Sequence, residues 1–300
     1  MISTDQALLP DADGVAQQRD RAPACEALRE YAAAVARACD ADDAGLVVRA
    51  LNEYASRASL LGELDLAERL FDDAIERAAN ACAGGERAAD ENIAPILKLL
   101  LANRAYLYVV RGDVANAWTT VARARAVDEG SLVADLTAAG VLVRLCTLVG
   151  NFREAHNILQ SGIVERALQS KEPQTIACVA GAAVAYLNAC GNIMAAKNLA
   201  RRAIALLGSA DFAWWLLEFI AASDVAGKSE ARMLLVRAAE QAQGMARGQL
   251  ALFDAIVASL LGNDAREEAA YAHTVFTELR CPREAAVAER ILLGLPSVLS

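Results

Sequence analysis

Small and apolar residues recur along this chain at helical spacing, and glycines interrupt them at intervals. Between positions 101 and 124, Ala105, Tyr108, Gly112, Ala117, Val121 and Ala124 follow one another at steps of 3, 4, 5, 4 and 3. Residues three and four apart share one helix face, so the pattern predicts a helix, a turn and a second helix. Small residues a turn apart let two antiparallel helices approach closely. Gly112 suits the left-handed conformation that ends a helix, and Asp113 suits the cap of the next one.

The same ladder recurs. Ala55, Ala58, Gly62, Ala67, Phe71 and Ala74 repeat it upstream. Downstream, Gly150-Asn151-Phe152 is followed by Ala155, Leu159 and Gly162. Gly191-Asn192-Ile193 is preceded by Val184 and Leu187 and followed by Ala196, Ala200 and Ala203. Further on the pattern loosens around Gly227, and Glu267 takes the usual small position after Ala255, Ala258 and Gly262. The pattern predicts units over about 48–78, 98–127, 136–166, 177–207, 212–243 and 248–281. A helix over 23–39, opened by Pro23, and one over 283–293, opened by Pro282, flank them. Residues 1–22 show no helical period and predict a flexible arm, and 80–92, with Gly84-Gly85, predicts a flexible linker.

This ladder resembles the tetratricopeptide repeat, most strongly at Gly62-Leu66-Ala67-Phe71-Ala74 and Gly112-Ala117-Val121-Ala124. The resemblance covers roughly residues 45–281, with four recognisable and two degraded units. The early Trp is absent, most units lack the closing Pro, and Val143 and Val184 stand where the pattern has a small residue. The marker glycines lie 50, 38, 41, 36 and 35 residues apart, just above the family's period of about 34. The resemblance implies an all-α fold: a right-handed α-solenoid of about six antiparallel helix pairs with a capping helix at each end. Its irregularity is similar to the sensor-type arrays of bacterial regulators, among them helix-turn-helix activators and some diguanylate cyclases.

Composition agrees with helices packed closely. Hydrophobic residues make up 56% of the 300, aromatics only 5%, so the apolar content is mostly Ala, Leu and Val. A net charge of −9 and no basic stripe exclude a nucleic-acid surface. Seven cysteines without a CxxC pair predict reduced thiols and no zinc site, hence a cytoplasmic protein. The start has no basic region before an apolar core, and the longest apolar run, 176–187, is too short to cross a bilayer, so neither leader nor membrane span is predicted.

Catalysis finds no motif. There is no P-loop, GxSxG or HExxH, and His156 and His273 sit alone in second helices, so no catalytic residue, metal or cofactor is predicted. Trp214-Trp215 divides between two helix faces and predicts core packing. The tetratricopeptide resemblance implies that first helices line a concave face. That face would carry Arg49, Asn52, Ser56 and Ser59, then Asn103 and Tyr106, then Arg144 and Thr147, then Asn188. Amides there suit a peptide backbone, and Arg144 suits a carboxylate or phosphate. Gly140 and Gly181 on the same face fit either a ligand backbone or a close helix crossing. The lysines of the chaperone-tail clamp are missing. From Leu216 the face becomes apolar (Leu216, Ile220, Leu252, Ile256), which fits a second surface or a seat for the chain's own ends. The reading is a non-catalytic module that binds a protein or peptide segment, the sensory part of a regulator. The alternatives are a homo-oligomeric assembly scaffold and a small-molecule receptor.

Overall fold

Polar side chains start the helices and left-handed residues end them. The computed structural model describes residues 22–41, 43–83, 93–128, 130–207 and 245–295. Among these residues it contains thirteen helices and no strand, as an all-α protein should. In chain order they are α1 (Ala22–Asp40), α2 (Ala44–Leu61), α3 (Leu64–Ala83), α4 (Ile93–Val110), α5 (Val114–Arg125), α6 (Leu132–Leu148), α7 (Phe152–Gln160), α8 (Ile163–Ser170), α9 (Pro173–Ala189), α10 (Ile193–Leu207), α11 (Met245–Leu260), α12 (Arg266–Glu278) and α13 (Pro282–Leu292). The expected arm up to residue 21, the unit over 212–243 with Gly227, and Trp214, Trp215, Leu216 and Ile220 lie outside the described residues.

Four short polar side chains cap helix starts. Asp43 accepts the Leu46 N–H at 3.0 Å, Asp113 that of Asn116 at 3.1 Å, Ser131 that of Ala134 at 3.2 Å and Asn151 that of Glu154 at 3.3 Å. Each satisfies one of the donors that a helix start leaves without a partner. At the other end one turn recurs. Gly62, Gly112, Gly150, Gly191 and Gly262 have φ between +73° and +87°. In all five the glycine N–H donates to the carbonyl three residues back, and the next N–H to the carbonyl five back. That pair of bonds is the Schellman closure, and its left-handed residue is why glycine stands there. The N–H groups of Arg280 and Cys281 close the same pattern, with Arg280 left-handed at φ +54°.

The small positions of the ladder are where helices touch. Ala55, Ala58, Ala67, Ala74, Ala105, Ala117 and Ala124 are wholly buried. Each helix packs on its neighbour in the chain within the described runs, and α2 also touches α4, α4 touches α6, and α6 touches α9 across the short α7 and α8. Among the described residues, α11 also rests on α2, far from it in the chain. Leu252 and Ile256, expected on an apolar face that would be a second surface or a seat for the chain's own ends, are buried in the protein's own core. α4 is long and apolar enough by length and composition to cross a membrane, yet 56% of it is buried within the fold.

Three spacings resolve differently from the sequence pattern. Gly162 does not continue a packing ladder; at φ +76° it turns the chain between α7 and α8. Glu267 is exposed, because α12 buries Ala269, Ala272 and Phe276 instead. Residues 80–83, expected in a linker, still belong to α3.

α3 and α4 are joined by a ladder of ion pairs. Arg111 reaches Asp65 and, at 2.7 Å, Glu68, while Arg104 reaches Asp72. Tyr108 donates its hydroxyl to Glu68 at 3.3 Å, and the Arg104 guanidinium lies 5.3 Å from the centre of its ring. The pairs set register more than they add stability. Nε of Arg104 and of Arg111 is buried without a partner. Burial also raises the Asp72 pKa even with Arg104 beside it.

The turn glycines are not equivalent. A Cβ at Gly150 meets nothing, whereas one at Gly62 comes within 2.8 Å of a Leu279 methyl. Gly150→Ala should therefore cost only the left-handed strain, about 1–2 kcal/mol. Gly62→Ala should cost more in urea melts, and the excess should vanish on a Leu279→Ala background. Equal losses at the two sites would show that α12 does not press on the first turn.

Candidate functional site

Ser56, Tyr106 and Arg144 each stand six residues before a turn glycine. Because α2, α4 and α6 end in the same turn, this shared register puts the three side chains on one wall. Asn52 and Asn103 lie nearby on α2 and α4, and the Asn103 amide donates to Asn52 Oδ1 at 3.0 Å. All five residues, and Ser59, line a cavity of about 600 Å³. The remaining expected residues do not line it. Arg49 is exposed on α2. Thr147 and Asn188 are half-buried in the last turns of α6 and α9. There the Thr147 hydroxyl donates back to Val143 O at 2.8 Å, and the Asn188 carbonyl accepts the Gly191 N–H at 2.8 Å.

Sequence spacing missed the opposite wall. It is the first turn of α9, from Pro173 to Cys178, with Glu172 just before it, and Tyr31 of α1 and Met245 of α11 also reach the cavity. Pro173 at the first helical position was the available signal, since it places the helix start a turn earlier than the apolar run does. Gly140 resolves as a close crossing: a Cβ there would lie 3.0 Å from Cys178 Sγ and 3.2 Å from Val179 Cα. Gly181 is buried in α9.

The floor of the cavity is electrostatically unusual. Burial raises the Tyr106 pKa; Arg144 opposes the shift, and Cys178 and Glu284 add to it. Burial pushes the Cys178 thiol up to about 12 despite Arg144, so the thiol is protonated near neutrality. Behind this group stands α13. Its Glu284 is half-buried as a residue, but Oε2 is buried without a hydrogen-bond partner. Burial raises its pKa, opposed by its own backbone N–H, Arg283 and Arg144. Cys281 beside it is pushed up to about 12 by burial and by Glu284, against Arg111.

No histidine lines the cavity. His156 is exposed, with Nδ1 3.1 Å from the Tyr186 hydroxyl. Among the described residues no three His, Cys, Asp or Glu side chains are placed to hold a metal ion. What the arrangement offers is amides, hydroxyls, the guanidiniums of Arg57 and Arg144 and the carboxylates of Glu53 and Glu172 around a partly open space. No protein-family model matches the chain. No curated protein matches it either.

Glu284 makes stability depend on pH with a definite sign. Its folded pKa lies above the ordinary 4.5, so below 4.5 both states are protonated and nothing is lost. As pH rises from there, the unfolded chain ionises first and stability falls until the raised folded value is passed. Glu284→Gln should remove that loss: its melting temperature should exceed the wild type's at pH 7 and match it below pH 4.5. A variant that melts lower at pH 7 would show that the ionised carboxylate is stabilising.

Proposed function

We propose that this chain is a non-catalytic tetratricopeptide-like module that binds a peptide or protein segment in the cavity between α2, α4, α6 and α9. It serves as the sensory or regulatory part of a signalling or transcription regulator. The recurring glycine turn and the buried alanines support reading it as a right-handed solenoid of antiparallel pairs. So does the reversed order of the α3–α4 ion pairs, in which Asp65 meets Arg111 and Asp72 meets Arg104.

One observation carries the reading: the Asn103–Asn52 bond on the cavity wall. It uses one donor of Asn103 and leaves the Asn52 amide N–H₂ and the Asn103 carbonyl to a ligand. One donor and one acceptor side by side match the alternating carbonyls and amides of an extended backbone. The protonated Cys178 thiol and the lack of histidine in the lining leave no activated nucleophile there. A small-molecule receptor is the second reading, favoured by the cavity's size, since ligand pockets run to about 300–1,000 Å³.

Peptides selected by display against the whole protein supply the test. Asn52→Ala and Asn103→Ala should each weaken a selected peptide by about 1 kcal/mol, roughly fivefold, in calorimetric titration. Melting temperatures should stay within the small range of surface changes. Selected peptides that bind both variants as they bind the wild type would remove the asparagine pair from the site.

A further inference from the structure

The fold matches several inward-facing cations with acids, whereas of the two cations in the cavity lining Arg57 has Glu53 one turn away on its own helix and Arg144 has no acid so placed. Lys98, barely exposed, holds Asp135 at 2.7 Å; Arg104 holds Asp72; Arg111 holds Asp65 and Glu68. Arg144 is half-buried on the cavity wall and, among the described residues, makes no hydrogen bond and no ion pair. The groups that feel its charge do not cancel it. Tyr106 and Cys178 are neutral near pH 7. Glu284 lies within reach of its field, yet forms no ion pair with it and keeps a buried oxygen without a partner. A half-buried guanidinium that holds no ion pair can donate charge-assisted hydrogen bonds to a bound anion.

The rest of the lining describes the anion. Glu53 and Glu172 are exposed at the mouth, and Glu53 stands one turn from Arg57 on α2, which offsets it. With two cations, Arg57 and Arg144, against two acids, Glu53 and Glu172, in the lining, a dianion such as phosphate is disfavoured. Tyr106, Thr137 and Thr175 bring hydroxyl donors to the wall. Leu60, Phe71, Leu99, Val133 and Met245 make much of the remainder apolar. We infer that the ligand is a monocarboxylate on an apolar body, its carboxylate seated on Arg144 and its apolar part against Phe71, Leu99 and Met245. This rests on the cavity being the binding site. A peptide ending in apolar residues with a free C-terminus and a small aliphatic acid both carry this chemistry.

Calorimetric titration of the whole chain with paired probes tests it: octanoate against octanamide, and the peptide Leu-Val-Leu-Val as its free acid against its C-terminal amide. At least one acid should bind, with its amide at least tenfold weaker, and the acid that binds identifies the source. Arg144→Gln should abolish that preference while melting no earlier than the wild type, because Arg144 holds no hydrogen bond or ion pair that the change would break. Arg144→Lys should restore part of it. An amide that binds as well as its acid, or an acid preference that survives Arg144→Gln, overturns the inference. So does failure of both acids, and if display-selected peptides still bind then, the cavity reading stands without it. Ala177→Phe, which fills the cavity, separates the two claims from the other side. Acid and selected-peptide binding that are both unchanged by it would place the site elsewhere and remove both.

Discussion

One backbone closure organises this protein: a left-handed residue at the helix end, with its own N–H and the next bonded back to the last turn. It appears at Gly62, Gly112, Gly150, Gly191 and Gly262 with nearly the same φ. A fixed exit from each helix means a fixed register relative to that exit. Ser56, Tyr106 and Arg144 therefore meet on one wall although they come from three helices. Alanine makes the arrangement possible on the inside, since a wholly buried Ala55 or Ala105 lets the facing helix come close. Arg280 shows how much the geometry is wanted: it adopts the same left-handed conformation with a Cβ attached.

The treatment of charge differs between the two sides of α4. Toward α3, Arg104 and Arg111 are held by three acids and Tyr108, an arrangement that fixes how one helix sits on the other. Toward the cavity, polar groups face open space, with Arg144 beside a thiol and a phenol that stay neutral. The first arrangement is closed upon itself and needs nothing more. The second leaves polar groups without protein partners, and that contrast supports the proposal that the cavity binds a ligand.

Much of this was legible in the sequence because helix ends and small-residue spacing are local properties. Asp43, Asp113 and Asn151 cap helices where their positions before apolar periods suggest. Asn52, Ser56, Asn103, Tyr106 and Arg144 face the cavity because helix register follows from counting back from a glycine. Counting fails where the chain changes period. Gly162 fell into phase with Ala155 and Leu159, but a second turn starts there and frees α8 to pack separately. Glu267 fell into phase with Gly262, but Asn263, Asp264 and Ala265 intervene before α12 and shift its buried face to Ala269. Thr147 and Asn188 stand three residues before their turns as Ser59 does, yet only Ser59 lines the cavity, so the offset alone does not decide which side chains reach it. The wall built by the start of α9, and the contributions of Tyr31 and Met245, depend on parts of the chain remote from α4. No period encodes such meetings.

The contact between early and late helices bears on how the protein comes apart. Where each helix touches only its neighbours, disruption spreads from either end, and inner helices outlast outer ones. Here Leu279 lies over Gly62, Met245 approaches the same turn, and Pro282 lies close to Gly112. The last helices thus lean on the earliest turns. Fraying of the segment around Leu279 and Pro282 uncovers the turns at Gly62 and Gly112, and loosening of α2 removes a support of α11. Opening of α2 and of α11 is therefore coupled, and amide exchange in the two helices should rise and fall together.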